Sequence, residues 1–397
     1  MTKPSHELSV PLRRDEKARA AFVSQLRRHV LNDLAAALRR DYHEAAAPAW
    51  TARHGAAPRT AADVHAALRE RDSFRFYSSL RVTSQDMLYQ TVRPAIERAR
   101  PRLLRAAQQL ARNAPGSLRL KQDFVVPRSV AAVDIHLMPG SYVAEYCDDD
   151  LTMGAVYEQR LALSTFGLFG PNLDDIGQSI ARFIRERVPQ FAPKRILDLG
   201  CTVGHNTGAW KDTYPDAEVH GIDVAAPCLR YAHARAQSQQ REIHFHQMNA
   251  ESLDFPAASF DVVFSSMFLH EVPPKGIPKV LAEAHRVLRP GGLMLHMELP
   301  PAAQLSPYDS FYLDWDGHYN NEPFYRAFRA CDPRRLVRDA GFSDGDYVQF
   351  VIPSISALGE HRWREALAAD LEVDSDKTGR LGDGIRWFCF GAWRSAG

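Results

Sequence analysis

This chain of 397 residues has few cysteines, no long apolar run and almost no net charge. Its five cysteines are odd in number and include no Cys-x-x-Cys pair, which argues against a disulfide framework or a zinc site and for reduced thiols. No stretch approaches the roughly 18 apolar residues of a membrane-spanning helix, and the N-terminus lacks the apolar core of a secretory signal. With 49 basic and 48 acidic residues, the charge balance does not favour nucleic acid. We therefore expect a cytoplasmic protein with no membrane insertion, no bound metal and no nucleic-acid partner.

The first 170 residues are predicted to form a mainly helical region with some strands. Between Asp15 and Tyr42, apolar residues recur at every fourth position, which is one face of a helix: Phe22, Leu26, Val30, Leu34 and Leu38. Thr60 and Asp63 resemble the N-cap of a second helix that ends near Arg71. The alanine-rich stretch 45–59, broken by two prolines and a glycine, predicts a loop between these helices.

A third helical region is expected from about residue 84 to residue 113, with interruptions at Pro94 and Pro101. Its arginine-rich face suits an anionic lipid, RNA or an acidic partner, but the near-zero net charge favours a solvated face. Three segments complete this region before a boundary near residue 170: strand-rich runs at 118–126 and 130–146, and a helix over 151–166.

The most informative stretch, ILDLGCTVGHNTGAW, spans residues 196–210. An apolar pair leads into Asp198 and then into a turn with Gly200 and Gly204, which is the pattern of a strand, a tight turn and a helix. Small residues let such a turn approach a ligand closely, and the helix N-terminus offers free N–H groups. The pattern predicts a nucleotide-type site at the carboxyl end of a parallel sheet.

Four further segments follow in order. The apolar run 218–224 closes on Asp223, and an acidic residue that ends a second strand can accept hydrogen bonds from two ribose hydroxyls. The remaining three are Gln247–Leu253, Ser259–Ser266 and His285–Leu299, the last with a Pro-Gly-Gly turn between a helix and a strand.

Together these five segments resemble the class I S-adenosylmethionine-dependent methyltransferases, particularly the type 11 branch that includes ubiquinone/menaquinone-biosynthesis methyltransferases. The resemblance covers about residues 176–299, and it departs from the family at Thr202, where the family usually has a glycine, and at Asn249, where it often has an aspartate. A dinucleotide dehydrogenase would more often show the complete Gly-x-Gly-x-x-Gly, which is absent here.

The resemblance implies an α/β fold with a Rossmann-like seven-stranded methyltransferase sheet in a domain spanning 171–397. Two final strands near Tyr347–Ile352 and Trp387–Trp393 would form its antiparallel pair. The additional, mainly helical N-terminal domain, 1–170, would cap the site, select substrate or form a homodimer.

The resemblance also implies which residues bind S-adenosylmethionine. Asp198 would organise the methionine end of the cofactor, Gly200 and Gly204 would shape the turn, and Asp223 would hold the ribose. The rest of the cofactor set is Val224 against the adenine face, Asn249, Ala250 and Glu251 at the adenine edge, and Ser265 near the methionine moiety.

His270, in the stretch SSMFLHEV after the fourth strand, is the candidate catalytic residue. A histidine with a pKa near neutrality can act as a general base toward an attacking hydroxyl, amine or carbon acid. The alternative is a structural hydrogen-bonding role, because in-line displacement at a sulfonium can proceed by positioning and desolvation alone.

The candidate substrate contacts are mostly aromatic, because aromatic faces attract a sulfonium or an amine cation. Ordinary core packing is the alternative for each of them. Upstream of the core, a helix carrying Tyr157 and Arg160 would close over the site, with Arg160 facing the carboxylate of the cofactor. The other candidates are Met267, Tyr308, Tyr312, Trp315 and Tyr319.

We therefore expect an enzyme that transfers the methyl group of S-adenosylmethionine to a small-molecule acceptor, in specialised metabolism. Two alternatives stay open. An enzyme of the same fold would cyclise the aminobutyl chain of the cofactor and release methylthioadenosine. A non-catalytic module would bind the cofactor as a sensor.

Overall fold

An eight-stranded sheet forms the centre of the computed structural model, which describes residues 6–112, 115–374, 376–378, 380–382 and 384–395. The strands are β1 (Ser117–Arg119), β2 (Arg195–Leu199), β3 (Glu218–Asp223), β4 (Ile243–Gln247), β5 (Phe260–Ser266), β6 (Leu288–Glu298), β7 (Tyr347–Pro353) and β8 (Arg386–Trp393). Their order across the sheet is β1-β4-β3-β2-β5-β6-β8-β7. β8 runs antiparallel to β6 and β7, and the other named pairs of strands are parallel. The predicted α/β fold with its seven-stranded Rossmann-like sheet is confirmed, and β1 adds an eighth strand at one edge.

The N-terminal part is helical. Its helices are α1 (Arg14–Arg28), α2 (Ala35–Asp41), α3 (Ala47–His54), α4 (Ala61–Leu68), α5 (Asp72–Ala111), α6 (Arg128–Ala131) and α7 (Thr152–Ser164), with wide π-helical turns at His29–Leu34 and Tyr42–Ala46 and a 3₁₀ turn at Ile135–Leu137. The predicted capping box is present, because the Thr60 hydroxyl accepts from the Asp63 N–H at 3.1 Å while the Asp63 carboxylate accepts from the Thr60 N–H at 3.0 Å.

Three expectations for this region were wrong. The stretch 45–59 is not all loop, because α3 continues from the π-helical turn at Tyr42–Ala46 through Pro48, and Gly55 ends the helix at φ 74°. Helix α5 is 40 residues long and runs through Pro94 and Pro101. The residues four positions before each proline, Gln90 and Glu97, are exposed, so water can reach the carbonyls that lose a partner. The predicted end of this helix at Asn113 lies outside the described residues.

The third wrong expectation concerns the strand-rich runs. Only β1 forms there, and the stretch 130–146 is a turn-rich loop. Its backbone enters the left-handed region at His136 (φ 59°), Leu137 (φ 58°) and Ser141 (φ 52°), which a strand cannot accommodate. The loop brings His136 toward the carboxyl ends of the strands.

The second half follows the expected alternation of strands and helices. Its helices are α8 (Asp175–Arg187), α9 (His205–Thr213), α10 (Ala226–Ser238), α11 (Ile277–Val287), α12 (Pro307–Tyr319), α13 (Tyr325–Arg329), α14 (Pro333–Asp339), α15 (Ile355–Leu358) and α16 (Glu360–Ala366), with 3₁₀ turns at Leu269–Glu271, Ala302–Gln304 and Asp344–Asp346. The central strands β2 and β5 are apolar on both faces because helices cover both sides of the sheet.

The N-terminal helices pack directly on this core. One apolar cluster joins Val92 of α5 and Met153 and Val156 of α7 to Cys228 and Tyr231 of α10. The boundary predicted near residue 170 therefore lies within a continuous packed structure. No helix among the described residues combines the length and apolar character needed to cross a membrane.

Candidate functional site

A cavity of about 550 Å³ lies at the carboxyl ends of the parallel strands, between the sheet and the N-terminal helices. Residues that follow β2, β3 and β5 line one side of it, and residues of α1, α5, α7 and α12 line the other. The carboxyl edge of a parallel sheet is where α/β folds bind ligands. The cavity is therefore the candidate site.

The turn after β2 forms part of the cavity wall. Gly200 has φ +68°, and a Cβ there would lie 2.4 Å from the Phe268 ring, so only glycine fits. Thr202, at the position where the resembled family has glycine, adopts φ 48°, which is strained for a β-branched residue. Its N–H donates to the Asp223 carboxylate at 2.9 Å, and this contact fixes the turn against β3.

Asp198 and Asp223 both line the cavity from the strand ends. Asp198 accepts a hydrogen bond from the Thr207 hydroxyl at 2.6 Å, and Asp223 accepts from the N–H groups of Thr202 and Ala225, both at 2.9 Å. Burial raises the pKa of Asp198 to about 7, and the nearby Asp223 carboxylate adds to this shift. Burial also raises the pKa of Asp223 to about 6, although the N–H groups of Ala225 and Thr202 oppose it. Two carboxyls with such pKa values are suited to a polar or cationic ligand.

The predicted adenine-edge residues lie together beyond β4. Asn249, Ala250 and Glu251 all line the cavity, as does Val224 after β3, which was predicted against the adenine face. The Asn249 side-chain oxygen already accepts the Glu251 N–H at 3.0 Å, which leaves its second lone pair for a ligand.

Two of the predicted cofactor residues do not line the cavity. Ser265 is fully buried and its hydroxyl lies 2.7 Å from His296 Nδ1, so the next residue, Ser266, faces the cavity instead. Gly204 caps α9 at φ 73° and packs near Phe245. Met267 does line the cavity and has a positive φ of 52°.

His270 lines the cavity but is held in a buried ion pair. Its Nδ1 lies 2.5 Å from Glu298 Oε2, and its Nε2 lies 3.6 Å from Glu322 Oε2. Burial lowers the pKa of His270, but the attraction of Glu298 outweighs burial and raises the pKa to about 9. His270 is therefore protonated at neutral pH and cannot accept a further proton. This favours the structural role over the role of a general base.

A second histidine, which sequence reasoning missed, lies beside this pair. His136 Nε2 is 3.2 Å from Glu271, and its Nδ1 is 3.2 Å from Glu322. The Tyr142 hydroxyl donates to Glu271 at 2.9 Å. Burial opposes the charged form of His136, but the two carboxylates outweigh it and raise its pKa. The cluster thus places two histidines with raised pKa values among carboxylates from β6, the turn after β5 and the segment after α12.

Three buried arginines face the cavity from the N-terminal helices: Arg27 on α1, Arg81 on α5 and Arg160 on α7. Arg81 pairs with Asp316 at 2.6 Å. Arg160 lies over the Tyr157 ring at 5.1 Å, and both residues line the cavity; their contact with substrate stays a prediction. The cavity is therefore acidic at the strand ends and basic toward the helices.

The predicted aromatic residues of α12 divide into two sets. Tyr312 lines the cavity, and its hydroxyl lies 2.9 Å from that of Tyr77. Tyr308, Trp315 and Tyr319 do not line it, although all four residues pack in one apolar cluster against the N-terminal helices. Helical spacing places all four near one face, so sequence alone does not separate them.

The residues that sequence reasoning missed share one property, which is that their partners are distant in the chain. They are Arg27, Arg81, His136, Tyr142, Glu298 and Glu322. The one local signal was the segment IHLMPGSY, whose glycine and proline argue against a strand and for a loop.

Comparison with known proteins shows that the strand-turn-helix region belongs to a segment that is similar to methyltransferases. Residues 196–292 match the family model described as methyltransferase domain. The chain is similar to a demethylmenaquinone methyltransferase of Thermus thermophilus, 38% identical over 110 residues, which are 28% of this chain and 49% of that protein. It is also similar to a malonyl-[acyl-carrier protein] O-methyltransferase of Hahella chejuensis, 33% identical over 162 residues, which are 39% of this chain and 55% of that protein. The chain thus spans about half the length of the curated relatives it matches.

A solved structure with partial likeness is phosphoethanolamine N-methyltransferase 2 of Haemonchus contortus. It is 20% identical to this chain, with a TM-score of 0.38 and coverage of 58% of this chain and 57% of that one.

Proposed function

We propose that this chain, which contains a class I S-adenosylmethionine-dependent methyltransferase domain, transfers the methyl group of S-adenosylmethionine to a small-molecule acceptor in the cavity. The observation that carries the proposal is the convergence of Asp198, Asp223 and Asn249 on one wall of that cavity. The wall lies at the end of the strand-turn-helix segment that matches the family.

The residues present fit the cofactor. The Asp223 carboxylate has lone pairs left for two ribose hydroxyls after accepting two backbone N–H groups. Asn249 has an acceptor left for the adenine amino group, and Asp198 offers negative charge near the methionine end. Arg160, with an unpartnered Nε, is positioned to meet a carboxylate.

The acceptor would occupy the part of the cavity under the N-terminal helices. When bound, S-adenosylmethionine supplies an activated methyl group for an in-line displacement. The protein then has to position the two reactants and exclude water, which buried side chains such as Tyr142, Tyr157 and Tyr312 can do. His270, already protonated, would stabilise the surrounding carboxylates instead of accepting a proton.

The direct test is mass spectrometry of the nucleoside product after incubation with S-adenosylmethionine and a cell extract. We expect S-adenosylhomocysteine that depends on the extract. Methylthioadenosine without the extract would instead support cyclisation of the cofactor, and binding without any turnover would support a sensor.

Replacing Asp223 with alanine is expected to weaken S-adenosylhomocysteine binding by roughly 1.5–3 kcal/mol, the range for hydrogen bonds to a charged group. Calorimetric titration would measure the change. Asp212→Ala is the matched control, because Asp212 pairs with Arg241 outside the cavity. Equal affinity in Asp223→Ala and the wild type, with both folded, would refute the ribose assignment.

Cofactor affinity is expected to fall as the pH drops below about 7 and more steeply below about 6, because burial raises the pKa of Asp198 to about 7 and that of Asp223 to about 6. Only the ionised carboxylate accepts hydrogen bonds from both ribose hydroxyls, so each pH unit below the pKa should weaken binding by up to about tenfold. The same raised pKa means that Asp223 stabilises the ligand-free fold at low pH, and that this contribution is lost as the pH rises through about 6. Titration of S-adenosylhomocysteine between pH 5 and pH 8 would test this, and a flat profile would contradict it.

A further inference from the structure

We propose that Arg27 binds an anionic oxygen group of the acceptor, a carboxylate or a phosphate, so that the substrate is an organic acid. The proposal rests on the proposed function and specifies its substrate class. It depends on an arginine that is buried, faces the cavity and lacks a counter-charge.

Arg27 is 4% exposed, yet it forms no ion pair within the described parts of the chain. Its one hydrogen bond runs from Nη1 to Gln85 Oε1 at 2.5 Å, and its Nε has no partner. A buried guanidinium is normally paired with a carboxylate, because removing it from water is costly. Because Arg27 lines the cavity and has no carboxylate in an ion pair with it among the described residues, its guanidinium is available to a ligand anion.

The neighbouring arginines add positive charge around Arg27. Arg81 pairs with Asp316, whereas Arg160 forms no ion pair with any residue that the structure describes. Burial lowers the pKa of Arg27 to about 9, and the positive charges of Arg81 and Arg160 contribute to this shift. Asp316 offsets Arg81 and Glu271 helps to raise the pKa of Arg160, so Arg27 is the least compensated of the three arginines.

Binding of the cofactor alone would not supply a negative charge for Arg27. The cofactor carries a single carboxylate, and Arg160, on the helix that borders the strand-end wall, is its predicted partner. Arg27 would then remain without a counter-ion. An acceptor with its own anionic group supplies the missing charge, and such a group is matched by the planar fork of arginine.

The other carboxylates near the cavity are already engaged. Asp376 pairs with Arg39, and Glu322 lies against His136 and His270. Leu31, one helical turn after Arg27, also lines the cavity. The expected ligand therefore combines an anionic end with an apolar body.

The test uses the full chain saturated with S-adenosylhomocysteine, so that the cofactor carboxylate is already in place. Two probes, inorganic phosphate and benzoate, distinguish a phosphate ligand from an organic carboxylate. Calorimetry gives the affinity of each probe, and thermal denaturation gives its effect on Tm. The variants are Arg27→Gln, Arg27→Lys and Arg160→Gln. Arg28→Gln is the matched control, because the adjacent Arg28 is exposed and lies over the Phe166 ring.

We expect at least one probe to bind the wild type and raise its Tm. Arg27→Gln should weaken that binding by about tenfold or more, Arg27→Lys should weaken it less, and Arg28→Gln should leave it within about twofold. Arg27→Gln should also raise the Tm of the protein without the probe, because it removes an uncompensated buried charge. A purely structural arginine would lower the Tm instead.

Three results would overturn the inference. The first is that neither probe binds the wild type. The second is that both probes bind Arg27→Gln as tightly as they bind the wild type. The third is that Arg27→Gln loses affinity for S-adenosylhomocysteine while Arg160→Gln retains it. The last would assign Arg27 to the cofactor carboxylate. Failure of the proposed function is a separate outcome, read from the wild-type affinity for S-adenosylhomocysteine and its dependence on Asp223.

Discussion

Replacing His270 with alanine is expected to lower the free energy of unfolding by about 3–5 kcal/mol, because Glu298 would remain buried without its cation. Glu298 is fully buried, and it also accepts the N–H groups of Phe268 and Leu269 at 2.9 and 2.6 Å. The pair thus fixes the turn after β5 that lines the cavity. Denaturant unfolding followed by fluorescence and circular dichroism would measure the loss.

The double variant His270→Ala/Glu298→Gln is the control for this pair. A glutamine oxygen can still accept both N–H groups, and no charge would be left alone. We therefore expect the double variant to lose less stability than His270→Ala by about 1–2 kcal/mol, a coupling of the size found for contacting residues. Additive losses would contradict the ion pair.

The same variant distinguishes the two interpretations of His270. If His270 is a general base, its removal should lower turnover by on the order of 10²–10⁴-fold with little change in stability. If His270 serves the ion pair, its removal should lower the free energy of unfolding strongly and turnover less. Because the pKa of His270 is raised to about 9, its contribution to stability is full below pH 6.5 and is lost as the pH rises through about 9.

Replacing Glu158 with glutamine is expected to destabilise the fold by about 3–5 kcal/mol as well. Glu158, on α7, is buried and joins four side chains: His6 at 2.8 Å, His205 at 3.0 Å, Tyr231 at 2.5 Å and Arg235 at 2.9 Å. Without its charge, Arg235 would be buried with no carboxylate partner. The network ties the N-terminal helices to α9 and α10, so its loss should loosen both sides of the cavity.

The matched control is Glu360→Gln, because Glu360 pairs with Arg182 and Arg364 at the surface. Exposed pairs of this kind contribute about 0–1 kcal/mol. A loss below about 1 kcal/mol in Glu158→Gln would contradict the prediction.

The effect of Glu158 also has a defined pH dependence. Burial alone would raise its pKa, but hydrogen bonds from His205 and His6 and the charge of Arg235 hold it well below the usual 4.5. Its contribution to stability is therefore present above pH 4.5 and is lost as the pH falls. The difference between the wild type and Glu158→Gln should shrink in acid, as measured by unfolding at pH 7 and pH 4.

Much of the second half of the fold was predictable because its signals are local. The apolar run into Asp198, the glycines after it and the acidic end of β3 each follow from backbone sterics within a few residues. The seven-stranded sheet with its final antiparallel pair was implied by the family resemblance that these local signals carry. These local rules determine the sheet and the carboxylates at its edge.

The sequence by itself therefore determined the α/β core, the position of the site at the carboxyl ends of the strands, and its acidic wall. Tertiary structure decided which N-terminal side chains complete the site. Arg27 and His136 line the cavity because α1 and the loop after α6 pack near the sheet. These contacts join residues that are far apart in the chain. It also decided the charge of His270, because burial beside Glu298 sets a pKa that no local pattern encodes.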